Sequence, residues 1–175
     1  MEGKASLPIS PILVNMDHKV SRALDSFALY KEYSRKDVHQ VFGDGTKYVD
    51  GAGIWGEYGV IKPKIGEEVY ILFCLIKPET SGMHLQYIEL DGKFHWLSQP
   101  SMYPGEKKLE GLITASKGNS MVLLFAKPRS GPTYAYIGKL SFLTVDEGSI
   151  RPTIVTWKIQ PWPMPEDQMA KFGIK

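Results

Sequence analysis

Large rings and small or polar residues alternate along two segments of the chain, and this period of two constrains the fold more than any other feature. The segments are Phe94-His-Trp-Leu-Ser-Gln99 and Tyr134-Ala-Tyr-Ile-Gly138. Successive side chains of a β-strand point to opposite faces, so Phe94, Trp96 and Ser98 share one face. The pattern predicts a β-protein that holds aromatic rings where a planar ligand could stack.

Strand and turn signals continue through most of the sequence. Glycines crowd the stretch between residues 43 and 66, which favours loops and bulged strands over helix. We predict strands near residues 54–61, 68–76, 83–90, 93–99, 120–127, 133–143 and 152–160, with Asp91-Gly92 as a tight hairpin turn. Short strands at this spacing predict an α+β fold that is mainly antiparallel β, either a curled sheet or a partly closed β-barrel.

Helical spacing is confined to the N-terminal part, where we predict one or two helices between residues 17 and 42. Residues 17–30 carry a first amphipathic pattern, after an extended leader over 1–16. A second helix is predicted to begin at Ser34, because Ser-Arg-Lys-Asp37 is a capping box, and to end at Gly43.

The chain is long enough for one domain, which we place over residues 17–160 with its β section over 54–160. Residues 161–175 are a proline-rich tail, either a linker into a following domain or a strap across the barrel. The net charge of +2 permits nucleic-acid binding without demanding it. We expect a cytoplasmic protein, since there is neither a membrane-length apolar run nor a signal-peptide pattern.

The motifs of common enzyme classes are missing from the sequence. There is no phosphate-cradling Gly-x-x-x-x-Gly-Lys loop, no Gly-x-Ser-x-Gly elbow and no His-x-x-x-His pair. The lone Cys74 lies in an apolar run, which excludes an internal disulfide and a cysteine-rich zinc site. We therefore expect a binding module that is not an enzyme, without catalytic residues, metal ligands or a cofactor.

Two segments carry cations that suit phosphate binding. Arg35 and Lys36 lie in the first turn of the predicted helix, whose free N–H groups favour anions. The alternative is an ordinary exposed helix start. The loop over 98–108 offers Gln99 and Tyr103 beside the pair Lys107 and Lys108, or it is a plain surface loop.

Several of these segments, in this order, resemble a known family. They are Tyr33-Ser-Arg-Lys-Asp-Val-His39, Gly51-Ala-Gly-Ile-Trp-Gly56, Phe94-His-Trp-Leu-Ser-Gln99, Val122-Leu-Leu-Phe125, Tyr134-Ala-Tyr-Ile-Gly138 and Pro152-Thr-Ile-Val-Thr-Trp157. The chain resembles, over roughly residues 30–160, the domain of formerly unknown function at the C-terminus of SauUSI-type, helicase-containing type IV restriction enzymes. That domain is also joined to HNH-type nucleases.

This resemblance implies a DNA-reading module that directs a restriction nuclease to modified DNA, such as DNA carrying 5-methylcytosine or 5-hydroxymethylcytosine. The partners it implies are modified double-stranded DNA and a nuclease or helicase domain, in the same chain or a separate one. A modified base can be read from the major groove or flipped into a pocket of rings.

We assign roles to the candidate residues on that basis. The phosphate contacts are Arg35, Lys36, Lys107 and Lys108, and the base or modification pocket comprises Trp55, Tyr58, Trp96, Ser98, Gln99 and Tyr103. The competing role for the rings is the protein core. The competing function is a small-ligand or protein-interaction β-barrel that binds no nucleic acid.

Overall fold

The computed structural model describes residues 24–65, 69–77, 86–118, 120–146, 148 and 153–174. Its strands are β1 Glu32–Ser34, β2 Val60–Ile61, β3 Val69–Leu75, β4 Tyr87–Ile88, β5 Lys93–Leu97, β6 Met121–Lys127, β7 Thr133–Asp146 and β8 Ile154–Gln160. Its helices are α1 Arg35–Phe42, α2 Gly53–Glu57, α3 Lys107–Lys117 and α4 Glu166–Lys171. The predicted leader and most of the predicted helix over 17–30 lie outside the described residues.

All eight strands belong to one sheet, in the order β2-β3-β6-β7-β8-β5-β4, with β1 paired to β7. Every pair is antiparallel except β3 and β6, which confirms the mainly antiparallel prediction. Among the described strands the sheet does not close, because β2 and β4 are its two edges, so the curled sheet is the correct alternative. Strands β1 and β8 pair with the same edge of β7. β1 pairs near the start of β7, and β8 pairs farther along it.

Helical segments cover both faces of this sheet. Val122, Leu124 and Ala126 of β6 join the core beneath α3 and the C-terminal segment. Leu123 and Phe125 join the core beneath α1 and α2. Because both faces of β6 are buried, its sequence is a continuous apolar run without alternation.

The capping-box helix predicted at Ser34 is confirmed as α1. The Ser34 hydroxyl accepts a hydrogen bond from the Asp37 amide at 3.1 Å, and the Asp37 carboxylate accepts one from the Ser34 amide at 2.9 Å. The helix ends at Gly43, whose φ of 54° is left-handed and whose N–H donates to the His39 carbonyl.

The strand predicted over 54–61 is wrong in its first part, where the chain forms α2 and reaches β2 only at Val60. A Cβ on Gly56 would lie 1.8 Å from the carbonyl oxygen of Val49. The backbone of Val49 therefore approaches position 56 too closely for any residue other than glycine. The glycines that indicated a bulged strand instead permit this tight loop.

Helix α3 is an element that the sequence reading missed, because the segment around Lys107 was predicted as a loop. Glu106 caps the helix by accepting from the amides of Lys108 and Leu109. Gly111 weakens the helical pattern, yet it fits close packing, since a Cβ there would lie 3.0 Å from the Tyr70 hydroxyl.

A hairpin joins β4 and β5 as predicted, but Leu90 and Asp91 are at the centre of its turn, one residue before the predicted Asp91-Gly92. The Gly92 amide donates to the Glu89 carbonyl at 3.0 Å, and Gly92 has a φ of 91°. Trp162 of the tail packs on Gly92 and donates its indole N–H to the Leu90 carbonyl. Tail residues are buried against the sheet as well: Met164, Phe172 and Ile174.

Candidate functional site

A cleft of about 740 Å³ opens at the end of the sheet where β1 pairs with the start of β7. We call it the first cleft. Its lining combines cations, carboxylates, glycines and two rings: Ser34, Arg35, Lys36, Tyr48, Asp50, Gly51, Gly56, Glu57, Lys127, Gly131, Pro132 and Tyr134.

The pairing of β1 with β7 brings the start of α1 into this cleft. Ser34 lies opposite Thr133 in the sheet and is also the N-cap of the helix, so strand passes directly into helix. The side chain of Ser34 caps the amide of Asp37. The first turn of α1 therefore faces the cleft, with Lys36 exposed beside it.

Arg35 fastens α1 to its neighbours as well as lining the cleft. Its guanidinium donates to the carbonyl oxygens of Trp55 at 3.2 Å and Tyr58 at 2.7 Å. It also lies 4.4 Å from the ring centroid of Phe73 and 5.4 Å from that of Tyr134. These contacts give Arg35 a structural role in addition to the phosphate role that we predicted.

Lys127 and Tyr134 form another part of the cleft wall. The Lys127 ammonium lies 4.3 Å from the centroid of the Tyr134 ring and donates to the carbonyl of Gly131 at 2.7 Å. Both residues belong to the β6–β7 hairpin, so the hairpin itself is one side of the cleft.

The loop between α1 and α2 is held by Asp44, whose side chain is 2% exposed. Its carboxylate accepts from the amide and hydroxyl of Thr46, from the Trp55 indole at 3.0 Å and from the Lys64 amide. Burial by itself raises the pKa of Asp44, but the hydrogen bonds outweigh burial and the pKa lies below its usual value. The network fixes the segment that supplies Gly51, Gly56 and Glu57 to the cleft.

Tyr48 lines the first cleft from this loop and is partly buried. Its hydroxyl donates to Asp50 at 3.2 Å. Burial raises the pKa of Tyr48, and the hydrogen bond to Asp50 adds to this effect. The phenol is therefore protonated at neutral pH and offers a planar ring to the cleft.

Three of the predicted pocket residues lie in the protein interior. Trp55 is 2% exposed and Trp96 is 3% exposed, and their indoles meet Asp44 and the Cys74 thiol respectively. Ser98 is 4% exposed and donates to the Met102 carbonyl at 2.6 Å. Their surroundings are those of core and turn residues, and a base-reading role for them stays a prediction.

The remaining predicted residues are nearer the surface but do not gather in one place. Tyr58 is 48% exposed and follows α2. Gln99 and Tyr103 are partly buried after β5, and Lys107 and Lys108 are exposed in the first turn of α3. Of all the predicted site residues, Arg35 and Lys36 line the first cleft.

A second cleft, of about 500 Å³, lies against the same hairpin. Tail residues Gln168, Lys171 and Phe172 form part of its wall, and Lys127, Gly131 and Pro132 belong to both clefts. Its other lining residues are Tyr30, Glu32, Ala126, Pro128, Arg129, Ser130, Thr133 and Ala135.

The part of the chain that the structure describes contains neither a group of metal ligands nor a membrane-spanning helix. Within those ranges, no three His, Cys, Asp or Glu side chains lie close enough to hold a metal ion. Nor does any helix among the described residues have the length and apolarity needed to cross a membrane.

The sequence reading missed Tyr48, Lys127, Arg129 and Tyr134 as candidate site residues. A usable signal was present, since Lys127-Pro-Arg-Ser-Gly-Pro132 joins two predicted strands and combines cations with turn residues. The contribution of Tyr48 had no local signal, because it depends on the loop that Asp44 holds.

No protein-family model matches the sequence, and no curated protein matches it either. Among solved structures, the fold is similar to part of the DNA modification-dependent restriction endonuclease AspBHI, at 12% identity and a TM-score of 0.35. The match covers 60% of this chain and 34% of that chain, so this chain spans about a third of the endonuclease. A likeness of this extent carries no argument about function.

Proposed function

We propose that this chain is a DNA-recognition module that reads modified DNA, such as DNA carrying 5-methylcytosine or 5-hydroxymethylcytosine, and directs a restriction nuclease to it. The observation that carries the proposal is the first cleft, which joins a helix N-terminus, cations and two rings. The sequence resemblance to the type IV restriction domain supplies the class of ligand.

The phosphate part of the ligand suits the start of α1. The unpaired N–H groups of a helix N-terminus and its positive dipole end favour an anion, and Lys36 adds an exposed cation. Lys127 adds a second cation to the lining of the same cleft. In this proposal Lys36 is the main phosphate contact, while Arg35 mostly holds the wall.

The base part of the ligand suits the other lining residues. Tyr48 offers ring surface on which a base can stack, and the carboxylates of Asp50 and Glu57 can accept from the exocyclic amine of cytosine. A volume of about 740 Å³ leaves room for a flipped base together with its phosphate. Catalysis has no part in this proposal, and cleavage belongs to a nuclease or helicase-containing partner.

Single substitutions in the cleft separate its two roles. Lys36→Ala should weaken binding to every duplex and reduce the slope of log affinity against log salt by about 0.9, because one phosphate contact is lost. Tyr48→Leu should leave the salt slope unchanged and weaken binding to modified DNA by about 1–3 kcal/mol, through lost stacking. Lys139→Ala, which removes an exposed cation outside both clefts, is the matched control.

Base flipping has its own readout. A duplex with 2-aminopurine at the target position should gain fluorescence when the parent protein extrudes that base, and should gain little with Tyr48→Leu. If the parent binds modified DNA without a gain in fluorescence, the base is read within the base stack, and the first cleft binds only the DNA backbone.

A small-ligand function is the second candidate, because the volume of the first cleft lies within the range of small-molecule pockets. Salt dependence separates the two functions. A DNA module loses affinity steeply as salt rises, whereas a chain that shows no affinity for any duplex at low salt would favour the small ligand.

A further inference from the structure

The β6–β7 hairpin has a cleft on each of its faces. The first cleft lies on the face that carries Tyr134, and the second lies on the face that carries Ala126 and Ala135. Lys127 lines both clefts at the base of the hairpin tip, which we define as residues 128–132. The tip therefore projects between two open spaces.

Cations border each of these spaces. Lys36 borders the first cleft, and Lys171 borders the second from the end of α4. Both side chains are exposed, and neither makes a hydrogen bond or ion pair with another of the described residues. A negatively charged ligand that receives the hairpin would meet positive charge on both sides.

The tip is held in one shape. Lys127 donates to the Gly131 carbonyl at 2.7 Å, which closes the turn, and its ammonium rests over the Tyr134 ring. Pro128 and Pro132 restrict the backbone on either side of Arg129. The Arg129 side chain is exposed and, among the described residues, has no hydrogen-bond partner.

We infer that the tip of this hairpin enters the major groove of the DNA, with Arg129 as the residue that reads base edges. The inference rests on the proposed function and adds to it the segment that enters the duplex. Because β3 and β1 flank the two strands of the hairpin, the part that can enter a groove is the five-residue tip, and an arginine fork there finds its guanine partner in the major groove. The two phosphate backbones that border the groove then lie against Lys36 on one face and Lys171 on the other.

The chemistry of the tip fits the major-groove edge of a base beside the flipped cytosine. An arginine fork pairs bidentately with O6 and N7 of guanine, which is the commonest specific contact in that groove.

Substitutions at the tip and on its two sides test this inference by fluorescence anisotropy on a modified duplex. Arg129→Ala and Arg129→Lys should both weaken binding about 10- to 100-fold, because lysine keeps the charge and loses the fork. Lys36→Ala and Lys171→Ala should each lower the salt slope by about 0.9, and the double variant should lower it by about twice that amount. The control Lys139→Ala/Lys158→Ala removes two exposed cations that line neither cleft.

Groove-specific interference supplies an independent readout. Methylation of guanine N7 in the duplex should block binding of the parent, while a small minor-groove ligand should not displace it. If the parent prefers modified DNA, but N7 methylation has no effect or Arg129→Ala binds like the parent, the hairpin inference is overturned and the proposed function stands. If the parent binds no duplex, both are overturned.

Discussion

Replacing Trp96 by alanine separates a core residue from a base-stacking residue. The side chain is 3% exposed, and its ring meets that of Trp157 edge-to-face at 6.3 Å and 62°. The indole is hydrogen-bonded to the Cys74 thiol, whose pKa is raised by burial. Truncating a buried tryptophan removes these contacts and leaves a cavity, at a cost of roughly 3–5 kcal/mol.

A loss of that size is easily measured. For a domain of this length each kcal/mol lowers Tm by about 2–4 °C, so Trp96→Ala should melt about 6–20 °C below the parent. Thermal and urea denaturation followed by circular dichroism give the two values. Tyr58→Ala is the control, because its side chain is 48% exposed and its loss should change stability by less than about 0.5 kcal/mol. A core role for Trp96 is refuted if Trp96→Ala melts like the parent and yet loses affinity for modified DNA.

Asp44→Asn should destabilise the fold by about 1–3 kcal/mol at neutral pH, because asparagine has one acceptor oxygen and cannot accept from both Thr46 and the Trp55 indole. The folded state lowers the pKa of Asp44 from 3.8, so the carboxylate stabilises the fold above that pH, and this stabilisation is lost as the pH falls through the folded pKa. Urea titrations should therefore show the difference in free energy of unfolding between parent and variant shrinking below about pH 4. Arg35→Ala should also cost about 1–3 kcal/mol in urea denaturation through its lost bonds to two carbonyls, while Lys36→Ala should stay within about 0.5 kcal/mol of the parent. The isolated chain should leave modified and unmodified plasmid DNA uncut with magnesium or manganese, and specific cleavage by the pure protein would show a catalytic site that the proposal lacks.

The parts of the fold that follow from local chemistry were predictable. The Ser34 capping box and the Gly43 end of α1 depend on a few neighbouring residues and are found as predicted, while the hairpin turn lies one residue before the predicted Asp91-Gly92. The longer strands follow from apolar runs whose length is that of a strand, as in β3 and β6.

The elements that were missed depend on distant contacts. Gly56 occupies a position where the Val49 carbonyl excludes a side chain, and Gly111 lets α3 approach Tyr70. In each case close packing requires a glycine, and that glycine weakens the helical pattern by which the element could have been predicted. The sequence leaves the tail open between a linker and a strap, because the burial of Phe172 and Ile174 against the sheet depends on distant contacts.

The candidate site was only partly predictable for the same reason. The cations of the first turn of α1 form a local motif, and the structure places them in the first cleft. Tyr48 and Lys127 join them because β1 pairs with β7, which are far apart in the sequence, and because Asp44 holds the loop before α2 through a bond to Trp55, 11 residues away. Rings in alternation, as at Trp96, indicate a buried strand as readily as a stacking surface.

The most direct test of the account is the affinity of the unaltered chain for duplexes of one sequence that carry cytosine, 5-methylcytosine or 5-hydroxymethylcytosine. We predict tighter binding to at least one modified duplex, with a slope of log affinity against log salt of about −3, as expected for roughly three phosphate contacts. Equal affinity for all three duplexes, or no binding at low salt, would contradict the claim that this chain reads modified DNA.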